Sequence, residues 1–182
     1  MAKLFAHSTS IGFKWVQGKL ISKSTYGQVY LALNVTTSKM MTVKQVEIPQ
    51  YNVDHNNKRQ VSIVEVLKLE INTLKDLDHS NIIQCLGFEQ TPNVLSIFLK
   101  YIPGSSISGL LQKYGKFGDQ ISWSFSRQIV ASLEYLHNNG VIHRDLKANN
   151  VLVDSIRICK ISDFSISKWT DDINKNGLYT LM

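Results

Sequence analysis

One run of ten residues constrains this chain more than anything else in it. Val141-Ile142-His143-Arg144-Asp145-Leu146-Lys147-Ala148-Asn149-Asn150 sets a carboxylate and an amide five positions apart, directly after a helical stretch that Gly140 stops. Asp145 can orient a hydroxyl nucleophile, and Asn150 can offer an oxygen to a divalent ion, because hard cations such as Mg²⁺ prefer oxygen donors. A second acid, Asp163, follows in Ile161-Ser162-Asp163-Phe164-Ser165 after one short strand pair. Two oxygen ligands on adjacent loops make a metal–phosphate site plausible chemistry. An ordinary polar loop would explain Asp163 alone; it does not explain the whole run.

The part before about residue 100 reads as short strands. Residues 14–21, 27–34 and 40–47 are rich in Val, Leu and Tyr and are broken by turn formers. A helix is expected over about 60–77, with Ile63, Leu67, Glu70 and Leu74 on one face. Strands near 83–88 and 94–100 flank the turn Glu89-Gln90-Thr91-Pro92-Asn93. From Tyr101 the character changes. Pro103-Gly104-Ser105-Ser106 breaks the chain, and a short helix follows near 106–113. A longer one, about 119–138, lines up Ile121, Phe125, Ile129, Leu133 and Leu136. Short strands at 151–153 and 158–161 come next, so a lobe boundary is expected near residue 100 and the fold class is α+β.

Met41-Thr42-Val43-Lys44 puts a lysine near the middle of the third strand. Alternation places Thr42 and Lys44 on one face, opposite Met41 and Val43. A lysine on a half-buried strand needs an anion, and Glu70 on the next helix is the candidate. Taken by itself, Lys44 would read as a surface lysine on an edge strand; its weight comes from the residues that accompany it.

Composition narrows the class. Hydrophobic residues make up 43% and charged residues 19%, which suits a globular domain and argues against disorder. Twenty Lys and Arg against fourteen Asp and Glu give a net charge of +6. The longest basic run is only Lys58-Arg59, and no nucleic-acid motif accompanies it. A solvated basic surface that attracts phosphorylated partners is expected, and nucleic acid is not. No apolar run approaches the roughly 20 residues of a membrane helix, so no membrane association is expected. Residues 1–12 lack the layout of a secretory signal, which makes the cytoplasm the expected compartment. Cys85 and Cys159 sit in apolar stretches and are expected as buried free thiols. Asn34-Val35-Thr36 matches a glycosylation acceptor, which without a secretory signal reads as a chance match.

Taken in order, Lys44, Glu70, the 143–150 run and Asp163 make the sequence resemble a eukaryotic protein kinase catalytic domain of the serine/threonine type. Two tracts resemble the MAP kinase kinase kinase group, in the branch familiar from fungal signalling cascades. They are Leu67-Lys68-Leu69-Glu70-Ile71-Asn72-Thr73-Leu74-Lys75-Asp76-Leu77-Asp78-His79 and Phe98-Leu99-Lys100-Tyr101-Ile102-Pro103-Gly104. The resemblance covers about residues 13–172. It implies a bilobal fold, with a complete small β-rich lobe and its helix C over about 13–100. The start of a helical large lobe would occupy 101–182, and residues 1–12 would be a short extension ahead of the small lobe.

Position by position, the resemblance implies that Lys44 holds the α- and β-phosphates of ATP and that Glu70 is its helix partner. Asp145 is implied as the catalytic-loop base, and Lys147 as the residue that steadies the transferring phosphate. Asn150 and Asp163 would bind Mg²⁺. Lys100 and Ile102 would present hinge backbone to adenine, with Leu99 as gatekeeper and Ile21, Val29, Thr42 and Leu152 lining the adenine slot. Ser22, Ser24 and Gly27 fall in the phosphate loop. His143, Phe164, Leu74 and Cys85 would stack as an internal spine, although a plain core role suits Cys85 equally well. Arg144 would pair with a phosphate on the activation segment, whose carrier residue is hidden because the chain ends near Thr180.

Three departures from the pattern qualify these roles. Ser22 and Ser24 stand where the family has glycine. Serine adds bulk, with strain of order 1–3 kcal/mol if φ must be positive. Slower transfer with retained ATP binding is the expectation, since 1.36 kcal/mol is about tenfold in rate. Ser165 replaces the glycine after Asp163-Phe164 and should stiffen that hinge. The chain also stops at Met182, so an incomplete large lobe is expected, with a partner protein covering its apolar helix faces. The function expected is transfer of the ATP γ-phosphate to a Ser or Thr of a protein substrate, a MAP kinase kinase. The alternative is a catalytically impaired fragment that binds nucleotide or a partner; a gene copy without selected activity is a third.

Overall fold

The computed structural model describes residues 11–24, 27–49 and 55–170. Contacts divide the chain into two compact units, Met1–Asp76 with Gln84–Tyr101, and Leu77–Ile83 with Ile102–Met182.

The first unit is an antiparallel sheet with one helix. Its strands are β1 (Trp15–Ser24), β2 (Gly27–Asn34), β3 (Lys39–Glu47), β4 (Cys85–Gln90) and β5 (Val94–Lys100), in the order β1-β2-β3-β5-β4. Strand alternation gathers Ala32, Met41, Val43 and Phe98 into one buried cluster. Phe13 and Trp15 meet Phe98 edge-on, at 5.5 and 5.0 Å between ring centres. The opposite face of β3 and β5 carries Lys44 beside Ile97 and Val46 beside Leu95. The helix α1 (His55–Leu74) packs on these strands and buries Val64, Leu67, Glu70, Ile71 and Leu74. Gly27 opens β2 at φ 128°, and a Cβ there would lie 2.6 Å from the Gln45 carbonyl oxygen. Only glycine satisfies both conditions.

The boundaries differ from the sequence reading for identifiable reasons. α1 begins at His55 rather than near 60, because its first six residues, His-Asn-Asn-Lys-Arg-Gln, show no apolar period. It ends at Leu74 rather than 77, since Leu77 belongs to the second unit and is buried there. β4 starts at Cys85 because Ile83 N–H donates to Ile161 O at 2.9 Å in that same second unit. Glu89 and Gln90, expected in the turn, pair with Ser96 and Leu95. The turn shrinks to Thr91-Pro92-Asn93, closed by Thr91 N–H donating to Val94 O at 2.9 Å.

The second unit is mainly helical. Along the chain it contains β6 (Ser105–Ser106), α2 (Ile107–Tyr114), α3 (Asp119–Asn138) and β7 (Val141–Ile142). A 3₁₀ turn (Ala148–Asn150), β8 (Val151–Val153), β9 (Cys159–Ile161) and β10 (Lys168–Trp169) follow. Ser106 caps α2 by accepting from Gly109 N–H at 3.1 Å. α3 turns its apolar stripe inward: Phe125 packs with Val151, Val153 and Cys159, while Ile121 and Ile129 lie half-buried beside them. Gly140, at φ 70°, ends this helical stretch with its N–H on His137 O at 2.9 Å. The strands β6, β7 and β10 have two residues each, too few to show a period, and were not expected.

Residues 77–83 are tied into this unit by polar bonds. Asp78 N–H donates to the Tyr135 hydroxyl at 2.9 Å. Asn81 Nδ2 donates to Gln128 Oε1 and Cys159 O, both at 2.9 Å. Both cysteines are free. Cys159 is buried, and burial pushes its thiol up to about 11, whereas Cys85 is only half-buried. No helix among the described residues is long and apolar enough to cross a membrane.

Candidate functional site

The charged centre of the first unit sits on β3. Lys44 is flanked by Val29 of β2 and Ile97 of β5, so it is on an interior strand, not an edge. Its Nζ lies 2.6 Å from Glu70 Oε2, and the two side chains are 8% and 1% exposed. A cation that deep is tolerable only with a paired anion. The reading of Lys44 as a surface lysine therefore fails.

Around Lys44 the sheet arranges the other residues that the sequence singled out. Val29 shares the Lys44 face by direct pairing, and Thr42 Oγ1 donates to Leu99 O at 3.4 Å. Val29, Thr42 and Leu99 are half-buried, and Ile21 and Lys100 are exposed. Ser22 pairs with Val29 and Ser24 with Gly27, so both serines continue the extended ladder of β1. Ser22 is not among the residues with left-handed backbone. The condition for strain at that position is not met, because extended backbone accepts any side chain. Residues 25–26 and the side chain of Ser24 lie outside the described residues.

In the second unit the loop after β7 is built around Asp145. Its Oδ2 accepts from Lys147 Nζ at 2.7 Å and from Asn150 Nδ2 at 2.9 Å. Asn150 Nδ2 also donates to Asp145 O at 2.9 Å. The Lys147 hydrogen bond holds the Asp145 carboxyl below the usual carboxylate range; burial opposes the shift and the Asn150 amide assists it. Asn150 itself is buried.

His143 supports this loop from inside. Its Nδ1 accepts from Asp145 N–H at 3.3 Å, and its Nε2 faces Ser162 O at 3.1 Å. Those partners select the neutral tautomer protonated on Nε2. Burial lowers the His143 pKa, which agrees with that assignment. The ring stands edge-on to Phe164 at 4.7 Å. Leu74, fully buried, and Cys85, half-buried, belong to the first unit. Ile102, buried, and Leu152, half-buried, belong to the second.

Ser162 is the residue that sequence reasoning overlooked. Its N–H and its hydroxyl both donate to Asn150 O, at 2.8 and 3.0 Å. This joins the Asp145 loop to Asp163, the next residue. A serine before an acid carries no local sign of such a bond. Asp163 and Arg144 both take left-handed backbone, each at φ 64°, and Arg144 Nε donates to Ile166 O at 2.6 Å. Such conformations concentrate where surrounding structure over-determines them. Ser165 is buried, and Ser167 Oγ donates to Phe164 O at 2.7 Å, closing that turn. Thr180 lies outside the described residues.

The donor chemistry fits a hard divalent cation. The Asn150 nitrogen is committed to Asp145, so oxygen is what this amide can offer, and Asp163 adds a carboxylate. Among the described residues no cluster of three or more His, Cys, Asp or Glu forms a cage. Two protein oxygens completed by substrate phosphates and water suit Mg²⁺.

Comparison with known proteins points the same way. The protein kinase domain family model matches residues 15–180. The chain is 48% identical over 169 residues to the serine/threonine-protein kinase BCK1/SLK1/SSP31 of Saccharomyces cerevisiae, covering 93% of this chain and 11% of that protein. It is 48% identical over 169 residues to the MAP kinase kinase kinase mkh1 of Schizosaccharomyces pombe, covering 93% and 15%. A mitogen-activated protein kinase kinase kinase of Cytospora mali is 47% identical over 164 residues, covering 90% and 9%. The chain thus spans 15% or less of the length of these relatives.

Proposed function

Because this chain belongs to the protein kinase domain family, we propose that it is the catalytic domain of a serine/threonine kinase acting in a MAP kinase cascade. Its substrate on this reading is a MAP kinase kinase, the class that the names of its relatives imply. The family uses ATP and Mg²⁺, and we extend both to this chain. One observation carries the reading: Asp145 is held as a carboxylate by Lys147 and Asn150, on a loop bonded through Ser162 to Asp163.

Each side chain then has a derivable task. Asp145, kept ionised at neutral pH, accepts the hydrogen bond of a substrate hydroxyl and aims its oxygen. Lys147 presents its ammonium beside that carboxylate, where negative charge on a transferring phosphate would gather. Lys44, kept in place by Glu70, offers a desolvated cation to nucleotide phosphates. Asn150 and Asp163 would hold the metal through oxygen. Bound Mg-ATP supplies the phosphoryl group and neutralises its charge; the protein contributes mainly positioning.

The test uses the full chain, ATP labelled at the γ-phosphate and a MAP kinase kinase as acceptor, with Asp145→Asn as control. Transfer by the parent that drops by orders of magnitude in the variant supports the reading. Equal incorporation in both removes it. Stabilisation by Mg-ATP in a thermal melt without any transfer would instead favour a nucleotide-binding module.

A further inference from the structure

The charge of this chain is unevenly placed. Residues 1–46 hold six lysines and no Asp or Glu, while the remainder carries fourteen charges of each sign. The whole net charge of +6 therefore comes from residues 1–46, and four of those six lysines lie within the first three strands. Lys14, Lys19, Lys23 and Lys39 are all exposed. Lys14 alternates onto the face of Val16, whereas Lys23 and Lys39 pair with Gln28 and Asn34 on the other face, the side on which Glu89 Oε2 accepts from Trp15 Nε1 at 3.4 Å.

These strands also leave an apolar ladder bare. Val16 pairs directly with Leu33, and Leu33 with Met40, so the three share one face. They are 57%, 38% and 43% exposed. The same face of β3 is buried at Lys44, where α1 covers it. Four residues of strand, roughly 13 Å, separate Met40 from Lys44. The opposite face is filled by Phe13 and Trp15 on Ala32, Met41, Val43 and Phe98. Contiguous exposed apolar residues with a charged rim mark interaction surfaces.

We propose that this Val16–Leu33–Met40 face docks an acidic, apolar-anchored peptide segment of a partner protein. Charge complementarity selects the occupant: Lys14 beside Val16, in a 46-residue segment that has no Asp or Glu of its own, attracts carboxylates and repels basic partners. Strand addition is a poorer mode. β1 is an edge strand, but its register breaks between Gln17 and Leu20 and again before Ser22, and Lys19 and Lys23 guard it. The inference is independent of catalysis and needs no nucleotide.

Fluorescence anisotropy of the full chain with a short labelled peptide alternating glutamate and leucine tests it, against the same peptide carrying lysine for glutamate. Binding of the acidic peptide should weaken roughly tenfold or more in Leu33→Ser/Met40→Ser, about 1.4 kcal/mol. Lys14→Glu should slow association and weaken its salt dependence. Circular dichroism reports the fold of each variant, and Lys14→Glu decides alone if the serine pair unfolds. Failure of the acidic peptide to bind overturns the proposal, as does equal binding of the lysine peptide. So does retention of anionic phosphatidylserine vesicles in place of the peptide, or self-association of the chain that Leu33→Ser abolishes.

Discussion

Lys44 and Glu70, 26 residues apart in sequence, meet at 2.6 Å between the middle strand of a sheet and the helix lying on it. Neither side chain has appreciable contact with water, and each gives the other an opposite charge at close range. Losing one member of such a pair removes that counter-charge from the other while it stays buried. Lys44→Met should therefore cost about 3–5 kcal/mol, and adding Glu70→Leu should recover most of that loss. Urea unfolding of the two variants and the parent checks this. If the two losses simply add, the pair is not a unit.

Gly27 and Ser22 make opposite predictions on one hairpin. Gly27→Ala forces a side chain into left-handed backbone against the Gln45 carbonyl, and should destabilise by about 1–3 kcal/mol. Ser22→Gly removes a side chain from paired extended backbone, and should cost no more than about 1 kcal/mol. Thermal melts of the two variants separate these outcomes. A gain in stability at Ser22→Gly would mean that serine is strained there after all.

Asn150→Asp would replace the amide donor facing Asp145 by a second carboxylate. In the parent, Asp145 titrates below the ordinary range, so its contribution is present above ordinary carboxylate pH values and fades as pH falls through the depressed value. The variant should raise the Asp145 pKa, move the acid unfolding limb to higher pH, and lose about 1–3 kcal/mol at neutral pH. Carboxyl-carbon NMR titration reads the shift directly. An unmoved Asp145 resonance would show that the amide does not hold it.

His143 predicts a second pH dependence. Burial lowers its pKa, so the unfolded chain takes up a proton that the folded one refuses. Its share of stability is complete above about pH 6.5 and declines as pH falls from there towards the depressed folded value. His143→Phe keeps a ring against Phe164 but removes the titration. The variant should be less stable at neutral pH, since two hydrogen bonds are lost, and its stability should change less between pH 7 and pH 5. Denaturant midpoints across that range decide the matter; parallel curves would contradict the assignment.

Much of this architecture was legible in advance, and the parts that were not share a cause. The period of three and four in α1 placed Leu67, Glu70 and Leu74 on the buried face. The α3 stripe read the same way through Phe125 and Leu136. Polar residues ahead of Val61 hid the start of α1, because a helix without an apolar stripe has no period to read. Nothing local showed that Leu77–Ile83 belongs with the second unit, since Asn81 is held there by Gln128 and Cys159 from distant elements. The strain foreseen at Ser22 came from expecting glycine-like backbone, and the pairing with Val29 shows an ordinary strand instead.

Local order was enough to set where strands and helices lie, which side chains turn inward, and that an acid and an amide share the loop after Gly140. Those features depend on neighbours two to five positions away. Only the tertiary structure decided that Lys44 loses its water to Glu70, that Ser162 binds Asn150, and that Val16, Leu33 and Met40 stay bare. Burial is set by what the rest of the chain excludes from a point in space, and no short stretch of sequence contains that information.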